Sequence, residues 1–143
     1  MSQNLQAIKD LSNQESQHNV DFVMSEATIR VSNLRLRTFI GFNPDELAKQ
    51  QDVVINTNIY YRANCAAYSD NEEDALNYKT ITKAMITHVE QGRFRLLEKL
   101  SADLLAIIMQ QKLVTRADIT IDKPHALRFA DSVSVSLSGT REI

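Results

Sequence analysis

Residues 52–62 read Asp-Val-Val-Ile-Asn-Thr-Asn-Ile-Tyr-Tyr-Arg, and their alternation decides the fold class. Val53, Ile55, Thr57, Ile59 and Tyr61 fall on one side of an extended chain, while Asn56, Asn58 and Arg62 fall on the other. A period of two with one apolar side predicts a half-buried strand. Upstream, Thr28–Ile40 (TIRVSNLRLRTFI) also alternates, but its parity changes: Ile29 and Val31 share one side, Leu34 and Leu36 the other. A β-bulge or bend at Ser32-Asn33 restores a common core face. Gly41 and Pro44 mark the connection between these two strands.

Downstream the period changes to that of a helix. Tyr78, Ile81, Met85 and Val89 recur at helical spacing, with Asn77 as N-cap and Gly92 as the stop. A second helix is predicted from about Leu96 to Gln111, its stripe formed by Leu97, Leu100, Leu104, Ile107 and Ile108. Two strands follow, with Ala117, Ile119 and Ile121 alternating in one and Val133, Val135 and Leu137 in the other. The order ββααββ predicts an α+β layer, an antiparallel sheet with both helices on one face. Asn56, Asn58, Ser134 and Ser136 would line the uncovered face. Closing several copies edge to edge into a ring would remove the open strand edges.

The 143 residues suit one domain, expected over residues 26–143. Residues 1–25, rich in Gln, Asn and Ser, read as a flexible extension with a short helix around Leu5–Leu11. A net charge of -2 provides no overall drive toward nucleic acid or an anionic membrane. No run of residues matches the roughly 18 apolar positions of a spanning helix, and the N-terminus lacks the apolar stretch of a secretory signal. One cysteine, Cys65, excludes an internal disulfide and fits a reducing cytoplasm. Three glycines, Gly41, Gly92 and Gly139, leave no dinucleotide fingerprint and no P-loop. His18, His88 and His125 stand far apart and Cys65 has no cysteine partner, so no metal site is expected.

Carboxylate and lysine chemistry remains. Glu98 lies in the first turn of the second helix, where an anion complements the helix dipole. A carboxylate there can also take two parallel N–H donors from the guanidine-like edge of a heterocycle. Lys123 ends a strand before Pro124; it is either a solvated charge or, with a shifted proton affinity, a proton carrier. Lys123, His125 and Arg128 form a short basic segment. Tyr78 is either an apolar staple for its helix or a proton donor, and Glu46 sits in the loop GFNPDEL.

Several segments in register carry a resemblance: GFNPDELAKQQD (41–52), DALNY (74–78), RLLEKL (95–100) and ITIDKPHALR (119–128). In this order they resemble the dihydroneopterin aldolases and their relatives, the dihydroneopterin triphosphate 2′-epimerases, from about Thr28 to Ser138. LRLRTFIG (34–41), DALNYKTITK (74–83) and HALRFADSVS (125–134) look more like the epimerase branch. Aldolases usually carry a YGYHG-like stretch in place of RTFIG and a Pro-rich, Gly-containing loop in place of His125–Arg128.

The resemblance implies the tunnelling fold, with four subunits closing a barrel, two rings stacking into a homo-octamer, and active sites between subunits. It implies a pterin substrate and no cofactor. Glu98, helped by the backbone of Leu97, would anchor the pterin, and Lys123 would act as general acid and base. Tyr78 of an adjacent subunit would reach the reacting side chain, with Glu46 near the dihydroxypropyl chain. His125 and Arg128, joined by Lys79, would clamp a triphosphate. The implied reaction is inversion at C2′ of 7,8-dihydroneopterin triphosphate. The alternatives are aldolase cleavage to 6-hydroxymethyl-7,8-dihydropterin and glycolaldehyde, and a non-catalytic ring that binds a pterin.

Overall fold

Val53, Ile55, Thr57 and Ile59 are all buried along one strand of the computed structural model, which describes residues 20–142. The short helix read around Leu5–Leu11 lies outside the described residues. In chain order the elements are β1 (Ala27–Ile40), α1 (Pro44–Ala48), β2 (Gln51–Tyr61), α2 (Asn64–Ser69), a 3-10 turn (Glu72–Asp74), α3 (Tyr78–Gln91), β3 (Arg93–Phe94), α4 (Leu97–Met109), β4 (Val114–Lys123) and β5 (Val133–Thr140).

The sheet order is β3-β1-β2-β4-β5. The β1/β2, β2/β4 and β4/β5 pairs are antiparallel. The change of parity in β1 is resolved as predicted: the register shifts between Val31 and Leu34. Asn33 takes a left-handed backbone, φ 54°, which asparagine tolerates better than most residues. Its N–H donates to Asn56 Oδ1 at 2.8 Å, so the bulge is tied to the neighbouring strand. Ile29, Leu34 and Leu36 thereby all pack against the core.

The fifth strand was not predicted. β3 is two residues long, too short to show a period, and it pairs parallel to the end of β1, Phe39 opposite Arg93 and Ile40 opposite Phe94. Gly92 makes this possible by its size, since its φ of -98° is open to any residue. A Cβ there would collide with the Phe94 ring and approach the His88 carbonyl. A side chain at position 92 would therefore push Phe94 out of its buried seat.

Both long helices cover one face of the sheet. Ile81, Met85 and Val89 of α3 and Leu97, Leu100, Leu104, Leu105 and Ile108 of α4 meet Ile55, Ile59, Ile119 and Ile121 in one core. Asn77 caps α3, its side chain accepting from the Thr80 N–H at 3.1 Å. Thr38 Oγ1 donates to the Val89 carbonyl at 2.6 Å and fixes β1 to the end of α3. His88 and Lys99 both reach Asp103, at 2.9 and 2.8 Å, which clasps α3 to α4.

Thr57 is the exception in this core, because its buried hydroxyl has no hydrogen-bond partner among the described residues. An unsatisfied hydroxyl costs about 1–3 kcal/mol, and valine has nearly the same shape. Thr57→Val is expected to stabilise the protein by about 1 kcal/mol, read as a higher urea midpoint with an unchanged slope.

The other face of the sheet is polar and hydrogen-bonded within itself. Thr120 and Ser136 hydroxyls meet at 2.7 Å, and Asp118 accepts from Ser138 at 2.7 Å and from Tyr60 at 3.1 Å. Those hydroxyls, with Arg116 beside them, hold the Asp118 carboxyl below the usual aspartate range. Asn56 and Asn58 lie on this side by the alternation of β2, and Ser134 is paired with Asp122 on the neighbouring strand. No helix among the described residues is long and apolar enough to cross a membrane.

Candidate active site

The Asn43-Pro44-Asp45-Glu46 sequence builds a single helical turn whose effect is to aim one carboxylate. Asn43 is the N-cap and Pro44 occupies the first helical position, where its missing N–H costs nothing. The Glu46 N–H donates to Asn43 Oδ1 at 3.0 Å, and the Asn43 N–H reaches back to Glu46 Oε1 at 3.5 Å. This capping box turns Glu46 inward. Its other oxygen, Oε2, accepts from Lys123 Nζ at 2.5 Å and from Gln51 Nε2 at 3.4 Å.

Lys123 arrives from the end of β4. Ala117, Ile119 and Ile121 are buried, so position 123 shares their side of the sheet at the rim of the core. The side chains of Lys123 and Glu46 are only 12% and 19% exposed, which makes this a sheltered, charge-assisted pair. The Lys123 hydrogen bond, followed by its positive charge, holds the Glu46 carboxyl below the usual glutamate range, while partial burial opposes them.

This shift sets the sign of a pH effect. A carboxylate with a depressed folded value contributes stability above its unfolded value, near pH 4.3, and loses it as the pH falls through the lower folded value. Glu46→Gln is therefore expected to be less stable than the parent at pH 7. The gap should narrow below about pH 4.3, measured as urea midpoints across a pH series.

Glu98 occupies the first turn of α4, next to buried Leu97. The preceding residue, Leu96, caps the helix without any side-chain hydrogen bond, so the first amides of α4 stay open. Glu98 itself is exposed and has no hydrogen-bond partner among the described residues. The start of α4 lies at the Lys123 end of the sheet. Asp122 pairs with Val54, Gln51 with Thr38 and Ile40 with Phe94, and α4 begins three residues beyond Phe94.

Tyr78 lies elsewhere in the protomer. It opens α3 and is half exposed, whereas the other end of α3 touches β1 through Thr38 and Val89. Eleven residues of helix separate Tyr78 from Val89, roughly 16 Å along the axis. His125 and Arg128 are exposed in the segment after Lys123. His125 Nε2 lies 3.8 Å from Asp52, which also holds Arg37 at 3.0 Å, and the Arg128 guanidinium sits 5.4 Å from the centre of the Phe129 ring. Within one chain, Lys123 and Glu46 are in contact, Leu97 and Glu98 stand at the same end, and Tyr78 does not.

Two further residues complete the Glu46 seat, and sequence reading did not single them out as site residues. Gln51 donates to the Ile40 carbonyl at 2.5 Å while reaching Glu46. Asn43 supplies the cap. The Asn-Pro-x-Glu pattern is a legible capping-box signal; Gln51 has none, being one of two adjacent glutamines. Among the described residues no three His, Cys, Asp or Glu side chains converge as metal ligands.

Comparison with known proteins gives the family of the chain. The family described as "FolB: Dihydroneopterin aldolase" matches residues 29–138. The chain is 55% identical over 115 residues to dihydroneopterin triphosphate 2′-epimerase of Escherichia coli K12, covering 80% of this chain and 96% of that protein. It is 52% identical over 115 residues to the Pseudomonas aeruginosa protein of the same name, covering 80% of this chain and 94% of the relative. Its fold superposes on the crystal structure of Escherichia coli dihydroneopterin aldolase in complex with neopterin. The TM-score is 0.74 at 26% identity, over 79% of this chain and 98% of that one. The chain belongs to the dihydroneopterin aldolase family.

Proposed function

We propose that the chain is an isomerase that inverts C2′ of 7,8-dihydroneopterin triphosphate to give 7,8-dihydromonapterin triphosphate. One observation carries the choice of reaction. Nearly the whole length of the Escherichia coli epimerase matches at 55% identity, against 28% over 105 residues for the aldolase of the same organism.

The side chains described above suit a retro-aldol step followed by aldol re-addition. Glu98 takes the paired N–H donors of the pterin's amino-pyrimidinone edge, assisted by the Leu97 backbone. Lys123, in its neutral amine form once substrate has parted it from Glu46, takes the 2′-hydroxyl proton, directly or through a water. The C1′–C2′ bond then breaks, its electron pair moving into C1′=C6 as N5 gains a proton. The released aldehyde, still carrying the triphosphate, turns its other face and is re-added as N5 gives up its proton, and the new 2′-oxygen is protonated from Lys123. Glu46 holds the Lys123 amine at the rim until substrate displaces it, and lies beside the dihydroxypropyl chain.

Escape of the aldehyde instead of re-addition gives the aldolase outcome, so the two activities differ in how long the fragment is retained. His125 and Arg128, on the segment following Lys123, and Lys79 beside Tyr78 supply cations for holding the triphosphate.

The polar face of the sheet and its two edges, β3 and β5, favour closure of four chains into a ring with that face inward. Two rings stacked back to back give an octamer. In such a ring Tyr78 serves the site of the neighbouring subunit, which accounts for its distance from Lys123. The lone exposed Cys65 suits a reducing cytoplasm.

Incubating the protein with dihydroneopterin and with its triphosphate, then resolving the products by chromatography, tests the assignment. Dihydromonapterin triphosphate is expected to dominate. Predominant 6-hydroxymethyl-7,8-dihydropterin from the unphosphorylated compound would transfer the chain to the aldolases. Tight pterin binding without turnover would make it a binding ring.

A further inference from the structure

We propose that Gly41 is a positioning residue for the reaction: its bare Cα is the seat on which the Glu46 carboxylate rests when it points at Lys123. The functional half of this inference rests on the role given to Lys123 and Glu46 above; the geometric half does not.

Two independent features single out Gly41. Its φ is +125°, a backbone conformation that residues with a side chain rarely adopt. A Cβ built on it would coincide with the Glu46 carboxyl, colliding with Cδ and both oxygens. The peptide between Ile40 and Gly41 cannot easily yield to such a group, because both its N–H and its carbonyl are hydrogen-bonded. The Gly41 N–H donates to the Phe94 carbonyl at 2.8 Å, and the Ile40 carbonyl accepts from Gln51 at 2.5 Å. Ile40 is itself buried and paired with Phe94. A side chain at position 41 therefore displaces the carboxylate rather than the main chain. Glu46 then leaves Lys123 and Gln51 together.

Gly139 shows the contrast. A Cβ there would make only ordinary contacts, 3.8 Å or more from Leu105 and Met109. Glycine at position 41 thus answers both to its positive φ and to the carboxyl of a side chain five positions along the sequence.

Gly41→Ala combines backbone strain with the collision, and Glu46→Ala removes the collision partner. The four corners of this cycle, parent, G41A, E46A and G41A/E46A, separate the two effects. The urea midpoint is expected to fall for G41A and to fall much less when the same change is made in E46A. Should G41A alone fail to fold, recovery of folding in the double variant supports the seat, and failure to recover overturns it.

For turnover, G41A and E46A are expected to lower kcat by a similar factor, up to about 100-fold for a misplacement of about 1 Å. Combining them should cost little more than either alone. A second readout is specific to positioning: in G41A the loss of stability below about pH 4.3 becomes smaller, because the carboxylate no longer meets the lysine. Additive effects of the two substitutions on the urea midpoint, with an acid loss as large as the parent's, would overturn the proposal. Coupled midpoints with no change in kcat for E46A would leave the seat standing and remove Glu46 from the reaction.

Discussion

Replacing Lys123 by alanine is expected to lower kcat by about three orders of magnitude, inside the 10²–10⁴ range that a positioned proton carrier contributes. Pterin affinity should change little, because the anchor proposed for the ring is Glu98 and not the amine. The fold should survive as well. Lys123 stands at the end of β4, after the buried run of Ala117, Ile119 and Ile121, and its only ionic partner among the described residues is Glu46. Glu46 keeps its capping contacts with Asn43 when the amine is gone. Single-turnover kinetics with a fluorescence measurement of pterin binding would separate the two effects. Loss of binding with normal turnover at saturation would remove Lys123 from proton transfer.

Glu98→Ala is expected to do the reverse. Two donors of the pterin edge lose a charged acceptor, and hydrogen bonds to a charged group contribute about 1.5–3 kcal/mol each. The dissociation constant should rise by about 100-fold or more, with kcat at saturating substrate far less affected. Stability should drop by no more than about 1 kcal/mol, the value of an acidic residue in the first turn of a helix, since Glu98 is exposed and has no hydrogen-bond partner among the described residues. Titrating the variant with a pterin, alongside thermal melts, reads both quantities. A variant that binds normally but does not turn over would exchange the roles of the two residues.

The central strands were legible because their physics is local. Alternation in residues 52–62 placed β2, and the change of parity at Ser32-Asn33 placed the bulge of β1. The two long helices followed from their stripes and from the Asn77 cap. β3 escaped because a two-residue strand has no period; Gly92 leaves room for the Phe94 ring beside it. α1 escaped because five residues carry no stripe, although Asn43, Pro44 and Glu46 spell its cap. Glu46 looked like an ordinary loop residue for the same reason. Its contact with Lys123 joins positions 77 residues apart, a proximity that no local pattern encodes. The residue types at the site were visible in the chain, whereas the seat formed by Gly41 and Gln51 required the folded backbone.

The reaction is tested most directly by running it in D2O and locating deuterium in the epimerised product by NMR. Opening and resealing of the C1′–C2′ bond leaves the hydrogen on C2′ throughout, so dihydromonapterin triphosphate should form with protium at that carbon. Deuterium at C2′ of the product would mean that a C–H bond, and not a C–C bond, is broken, and the chemistry assigned to Lys123 would be wrong.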